Sequence, residues 1–285
     1  MSLTWEEIEA LRDETFRRTR AQQVRTIAQA EQFINAVGFC FAFKAVRSEL
    51  PCLWHAAAGE RRPAYPLHVQ HDPTIGLVWE AKDQLAAAKK VYYGKALKKR
   101  PTFISLDFFP HFYKPVHERR GGDYMTDYRR GGLSRDAKRI LEALLERSPQ
   151  ITADLKASAA MSNPDRRAAF DAAMSELQCR MYLVKIGEFY NPFTFLWDLV
   201  ERRFAEEIAA SAAITVEQAR EKVLTQYFKL LWAADAKAIE RLFGRPPAAV
   251  QATLAELSAR GDISDRIEIA GEKARFYGLP ELAGR

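Results

Sequence analysis

The sequence predicts a mainly α-helical chain with small β-hairpins, an α+β fold, and three observations carry that prediction. Apolar residues recur at helical spacing through most of the 285 residues. The β-favouring runs are few and short. After Ser134 the order helix, short helix, longer helix, strand or hairpin occurs twice. Hydrophobic residues make up 48% and charged residues 28% of the chain, the balance of a soluble globular protein.

The N-terminal run MSLTWEEIEALRDETFRRTR lacks the apolar stretch of a signal peptide and reads as an amphipathic helix over Thr4–Thr19. A second helix is expected over Ala21–Ala36, followed by the aromatic strand GFCFAFKAV. The Pro- and Arg-rich ELPCLWHAAAGERRPAYP reads as a loop, and a helix follows near Leu77–Ala88. Trp54 and Trp79 are expected to pack inside, with Glu80, Lys82 and Asp83 on a solvated, ion-pairing helix face. TFISLDFFPHF has strand-like ends. The stretch Lys114–Ser134 carries four glycines and reads as an irregular boundary.

Beyond it, SRDAKRILEALLER is a helix capped by Ser134, with Ile140, Leu141, Leu144 and Leu145 on its apolar side. TADLKASAAM and AAFDAAMSELQCR follow as a short and a longer helix, and MYLVKIG as a strand. NPFTFLWDLV reads as an aromatic seam. From Thr215 the order returns in TVEQAREKVLTQYFKLL, DAKAIERLFG and PAAVQATLAELSARG, closed by a hairpin that turns at Ala270–Gly271. Five segments result: a divergent N-terminal module (1–114), a basic Gly-rich linker (115–133), a repeat (134–192), a connection (193–214) and a second repeat (215–285). This is the order of tandem winged helices, whose second and third helices form a helix-turn-helix and whose hairpin is the wing. Winged helices also dock proteins, so the order alone does not fix the partner.

TVEQAREKVLTQYFKLLWAADAKAIERLFGRPPAAVQATLAELSARGDI resembles the late module of the AlkZ/YcaQ group of tandem winged-helix DNA glycosylases. SRDAKRILEALLERSPQITADL and FDAAMSELQCRMYLVKIG resemble its middle module. The resemblance implies an arched fold of three such modules, duplex DNA as partner and release of alkylated or crosslinked bases. It also implies a catalytic Gln–apolar–Gln or Gln–apolar–Asp motif, which by order falls in VGFCFAF at Phe39 and Phe41. Neither phenylalanine can position water or accept a proton. By letters the motif matches HVQHDPT instead, at Gln70 and Asp72, with His71 in the apolar place. There a carboxylate would stabilise positive charge on the sugar as the base leaves, and the glutamine would hold water. The alternatives are a non-enzymatic DNA-binding or regulatory protein and a protein-docking module. In a loop, Asp72 would simply cap the helix after Pro73.

The formal net charge is +6, and the cations are clustered. KKVYYGKALKKR holds Lys89, Lys90, Lys95, Lys98, Lys99 and Arg100, and the two RRGG repeats hold Arg119, Arg120, Arg129 and Arg130. These are the expected phosphate contacts. No cofactor is expected: there is no phosphate-binding glycine loop for a nucleotide, and His68, His71 and Asp72, even with His111 and His117, make an incomplete metal shell. Cys40, Cys52 and Cys179 form no paired framework, which points to a reducing, cytoplasmic setting. No stretch reaches the roughly eighteen apolar residues of a membrane span.

Overall fold

The computed structural model describes residues 3–43 and 49–283. The chain divides into two compact units, the first made of Met1–Lys82, Phe103–Ser105 and Arg220–Arg285, the second of Asp83–Thr102 and Leu106–Ala219. Among the described residues no helix is long and apolar enough to cross a membrane.

The first unit opens with α1 (Trp5–Thr15), whose Thr4 and Glu7 form a reciprocal capping box, and α2 (Ile27–Val37), capped by Thr26. Then come β1 (Phe39–Phe41), α3 (Leu53–Ala58) and α4 (Pro73–Ala87). The expected strand is shorter than GFCFAFKAV, and its Lys44–Val46 lie outside the described residues. The chain next forms β2 (Val91–Leu97) and β3 (Arg100–Ser105), a hairpin joined by Lys98 and Lys99. Both lysines have positive φ, 50° and 56°, the geometry of a two-residue type I′ turn. β3 is divided: Phe103–Ser105 belong to the first unit, where the Ser105 amide donates to the Gly38 carbonyl, and the rest runs with β2 in the second.

The expected irregular boundary is largely helical, as α5 (Phe109–Arg120) and α6 (Tyr124–Arg129). Its glycines end helices instead of melting them. Gly121 closes α5 in the left-handed conformation at φ 78°, and Asp123 caps α6. Gly132 instead permits a close approach, since a Cβ there would collide with the Asp127 carboxylate and with Arg180 at 2.6 Å.

The second unit continues with α7 (Arg135–Glu146), β4 (Gln150–Ile151), α8 (Thr152–Ser158), α9 (Arg167–Cys179), β5 (Leu183–Tyr190) and β6 (Phe193–Leu199). Ser134 caps α7 as expected, and Ile140, Leu141 and Leu144 join Leu155, Phe170, Leu177 and Trp197 in its core. Leu145 is 47% exposed. The predicted seam is a strand: β6 pairs antiparallel with β5, from Leu183 with Leu199 to Tyr190 with Phe193. The alternation of Phe193, Phe195 and Trp197 along one face, continuing into the core, is what a strand provides and a connector does not. Two short helices, α10 (Val200–Arg203) and α11 (Ala205–Ser211), lead on.

The last stretch forms α12 (Val216–Leu231), β7 (Ala233–Asp235), α13 (Ala236–Phe243), α14 (Pro247–Ala259), β8 (Ser264–Ile267) and β9 (Phe276–Gly278). The three small sheets share one topology, with orders β1-β3-β2, β4-β6-β5 and β7-β9-β8. The helix, strand, helix, helix, hairpin unit therefore occurs three times, and the first copy spans 27–105. Within the first unit α1 lies on the last hairpin. The Trp5 ring meets Phe276 edge-on at 5.5 Å, its Nε1 donates to Glu272 at 2.8 Å, and the Ala270 amide donates to the Leu3 carbonyl.

Candidate nucleic-acid interface

The residues singled out by motif do not converge. Phe39 and Phe41 are 0% and 1% exposed, and Phe39 packs edge-on against Phe243 at 6.1 Å. They are core residues of the first unit. Gln70 is exposed in a short 3-10 turn, Val69–His71. Asp72 Oδ1 accepts from the amides of Thr74 and Ile75, both at 2.9 Å, and from the Thr74 hydroxyl at 2.5 Å. These bonds hold its carboxyl below the usual range, the Thr74 hydroxyl contributing most. Thr74 in turn accepts from Trp54 Nε1 at 3.0 Å. The opening turn of α4 thus uses Asp72 as a cap. Among the described residues no three His, Cys, Asp or Glu cluster as metal ligands.

The basic residues separate into three groups. Lys90, Lys98 and Lys99 are exposed on or beside the β2–β3 hairpin, with Arg100 half-buried at the start of β3. Lys89 pairs with Glu207 at 3.1 Å, and Lys95 donates to the Ser175 hydroxyl at 2.7 Å. Arg119, Arg129 and Arg130 are exposed where α5 and α6 end, and a Cβ on Gly121 would sit 2.7 Å from Arg130, so the two RRGG repeats meet at one corner. Arg120 departs from expectation. It is 1% exposed, donates to the carbonyls of Arg180 and Met181 at 3.1 and 3.2 Å, and lies 4.0 Å over the Tyr182 ring. Its guanidinium is a buried strut, withdrawn from any phosphate.

Helix α9 is covered on one side by β2, through Lys95 on Ser175 and the Tyr92 hydroxyl on the Gln178 carbonyl. Its open face presents Arg167, Ala168, Asp171 and Ala172, of mixed charge. The β5–β6 hairpin is different. Phe189, Tyr190 and Phe193 at its end are 51%, 70% and 56% exposed, and Tyr190 and Phe193 stand 5.8 Å apart. Behind them Phe195 and Trp197 carry the ring ladder into the core.

An ionic cluster holds the root of this hairpin. β5 has a bulge between Lys185 and Gly187. Residues three apart face opposite ways on a regular strand, and the extra residue turns Lys185 and Glu188 to the same side. Lys185 Nζ reaches Glu188 Oε2 at 3.0 Å and Asp83 Oδ1, on α4, at 2.6 Å. The Tyr190 hydroxyl donates to Glu188 Oε1 at 2.5 Å and lies 3.4 Å from Asp83 Oδ2. Burial would raise the Glu188 carboxyl, but bonds from Asp83, Tyr190 and Lys185 outweigh it and hold the group at about 2. Burial also raises the Tyr93 phenol, aided by both carboxylates. Asp83 is accordingly no solvated surface charge, and Lys82 beside it is buried. Trp79, expected inside, is 46% exposed with Lys82 Nζ 4.5 Å over its ring. The flanking rings of EFYNPF signal the exposed tip in sequence. Nothing local signals Asp83, which lies 102 residues from its lysine.

The AlkZ-related family model matches residues 24–244. The chain belongs to the AlkZ-related family. Among solved structures, the Streptomyces sahachiroi DNA glycosylase AlkZ is similar at a TM-score of 0.63 and 13% identity, over 99% of this chain and 71% of that one. At that identity the likeness is one of fold. No curated protein matches the sequence. Within this AlkZ-related chain the catalytic positions that the family order implies, Phe39 and Phe41, are filled by buried rings.

Proposed function

We propose that the chain binds duplex DNA, that its three repeats are winged helices, and that the middle wing, β5–β6, is the element that meets the nucleic acid. The observation that carries this reading is the exposed aromatic end Phe189, Tyr190 and Phe193. Exposed rings cost free energy in water, and in a duplex apolar side chains can wedge between base steps without demanding sequence. Lys90, Lys98, Lys99, Arg119, Arg129 and Arg130 supply phosphate contacts from the same unit. Family membership and the fold shared with a DNA glycosylase support DNA as the partner. Gln70 and Asp72 take no part in this reading beyond closing the start of α4.

Fluorescence anisotropy with a labelled duplex tests it. Affinity falls steeply as salt rises, and Lys98→Ala with Lys99→Ala lowers the log–log salt slope by about 2, near one per cation. Tyr190→Ser with Phe193→Ser weakens duplex binding, because the apolar rings that would insert at the base steps are removed. Binding that ignores salt, or no binding, would instead favour a protein-docking role.

A further inference from the structure

We propose that the second unit binds a short primary aliphatic amine, in its protonated form, in the cleft bounded by α6, α7 and α10, with Glu201 as the residue that takes the ammonium. The inference lies outside the DNA-binding reading and does not depend on it.

The cleft has a volume of about 110 Å³, room for about four waters or one short alkyl chain. Its walls are Leu141 and Leu145 on α7, Leu199 at the end of β6, and the side chains of Tyr124 and Tyr182. Leu145 is 47% exposed, whereas Leu141 and Leu144 on the same helix are 2% and 0% exposed. An apolar side chain left half in water at the wall of a cleft gains free energy when a ligand covers it. A mainly apolar hollow with a few placed polar groups is the usual form of a small-molecule site.

The charged residues of the lining are Glu201 and Asp123, both acids. Glu201 is only half committed. Its Oε1 accepts from the Tyr113 hydroxyl at 3.1 Å and from Arg120 Nη2 at 3.3 Å. Both donors are buried residues, 1% exposed each, so they fix the carboxylate from behind. Its Oε2 has no partner among the described residues. Asp123 uses its two oxygens on the Thr126 amide and hydroxyl, at 2.8 and 2.6 Å. Those bonds, the hydroxyl's most of all, hold its carboxyl below the usual range. Asp123 therefore adds negative charge at the cleft while Glu201 keeps the open acceptor.

This chemistry selects among ligands. Two carboxylates repel an anion. A planar guanidinium would bring five donors to one open oxygen and leave most of them unpaired. A primary ammonium is a compact head with three donors, and its alkyl stem matches the leucine walls. A neutral alcohol of the same length fits the walls but brings no charge to Oε2, and charge-assisted bonds are about twice as strong as neutral ones.

The test titrates the full chain with butan-1-amine at neutral pH and follows backbone amide NMR shifts. Saturable shifts should appear at 122–124, 141–145 and 199–201, with a Kd on the order of 1 mM, the range open to five heavy atoms. Butan-1-ol and butanoate should bind at least about tenfold more weakly. Glu201→Gln should weaken butan-1-amine by about tenfold or more and bring it close to butan-1-ol. Leu145→Ser leaves the Glu201 network intact and alters an exposed position, so it carries the test should Glu201→Gln fail to fold. It should weaken the amine and the alcohol alike, by about threefold or more. Shifts that do not saturate or that lie away from the cleft, an alcohol that binds as tightly as the amine, or an amine affinity unchanged in either folded variant overturns the proposal.

Discussion

Arg120→Met separates a structural arginine from a DNA-contacting one within the same RRGG sequence. The buried guanidinium donates to the carbonyls of Arg180 and Met181 and to the Tyr113 hydroxyl at 3.0 Å, and it stacks on Tyr182. Charged donors to buried acceptors are worth about 1.5–3 kcal/mol each, and a desolvated cation–π contact about 2 kcal/mol. These are not additive, because one side chain makes them all. The Glu201 partner at 3.3 Å adds little, since its side chain is 56% exposed and rehydrates. The net loss is about 3–4 kcal/mol, in the range for removing one side of a buried charged network. Thermal unfolding should fall by roughly 10 °C, given about 2–4 °C per kcal/mol in units of this size. Arg119→Met, one residue away and exposed, should change stability by no more than about 0.5 kcal/mol while weakening DNA binding. Equal stability in the two variants, with the DNA defect in Arg120→Met, would refute the strut.

Asp72→Ala should cost about 1 kcal/mol through the lost cap of α4. Because the folded carboxyl titrates below its unfolded value near 3.9, that stability is present above the unfolded pKa and disappears as pH falls through the folded one; urea unfolding of both proteins at neutral and acid pH checks the convergence. Lys98→Asn with Lys99→Gly should stabilise the β2–β3 hairpin by about 1 kcal/mol, since Asn-Gly relaxes two left-handed residues, while lowering DNA affinity and its salt slope together. Gly132→Ala should destabilise the second unit measurably in the same unfolding assay, because its Cβ displaces Asp127 from Arg180 and Tyr182.

Much of the fold was legible where helices are long and capped. Ser134, the apolar stripe through Leu144 and the LAEL run of α14 mark their elements locally, and the two later repeats follow from them. The first repeat was hidden by its parts. α3 is six residues long, a long loop separates it from α4, and the hairpin turn uses two lysines where Asn-Gly would have announced it. The run RRGGDYMTDYRRGG misled because glycine marks helix ends as readily as loops. The site was least legible. HVQHDPT carries its chemistry-like letters into a cap, whereas Asp83, Lys185 and Glu188 become neighbours through tertiary packing and a bulge that no local pattern records.

Hydrogen–deuterium exchange of the protein with and without duplex DNA tests the interface most directly. The account predicts slowed exchange at 187–195 on the middle wing and at 97–100 on the β2–β3 turn, with little change over 167–175 of α9. Protection concentrated on α9, with the wing exchanging as fast as in the free protein, would contradict it.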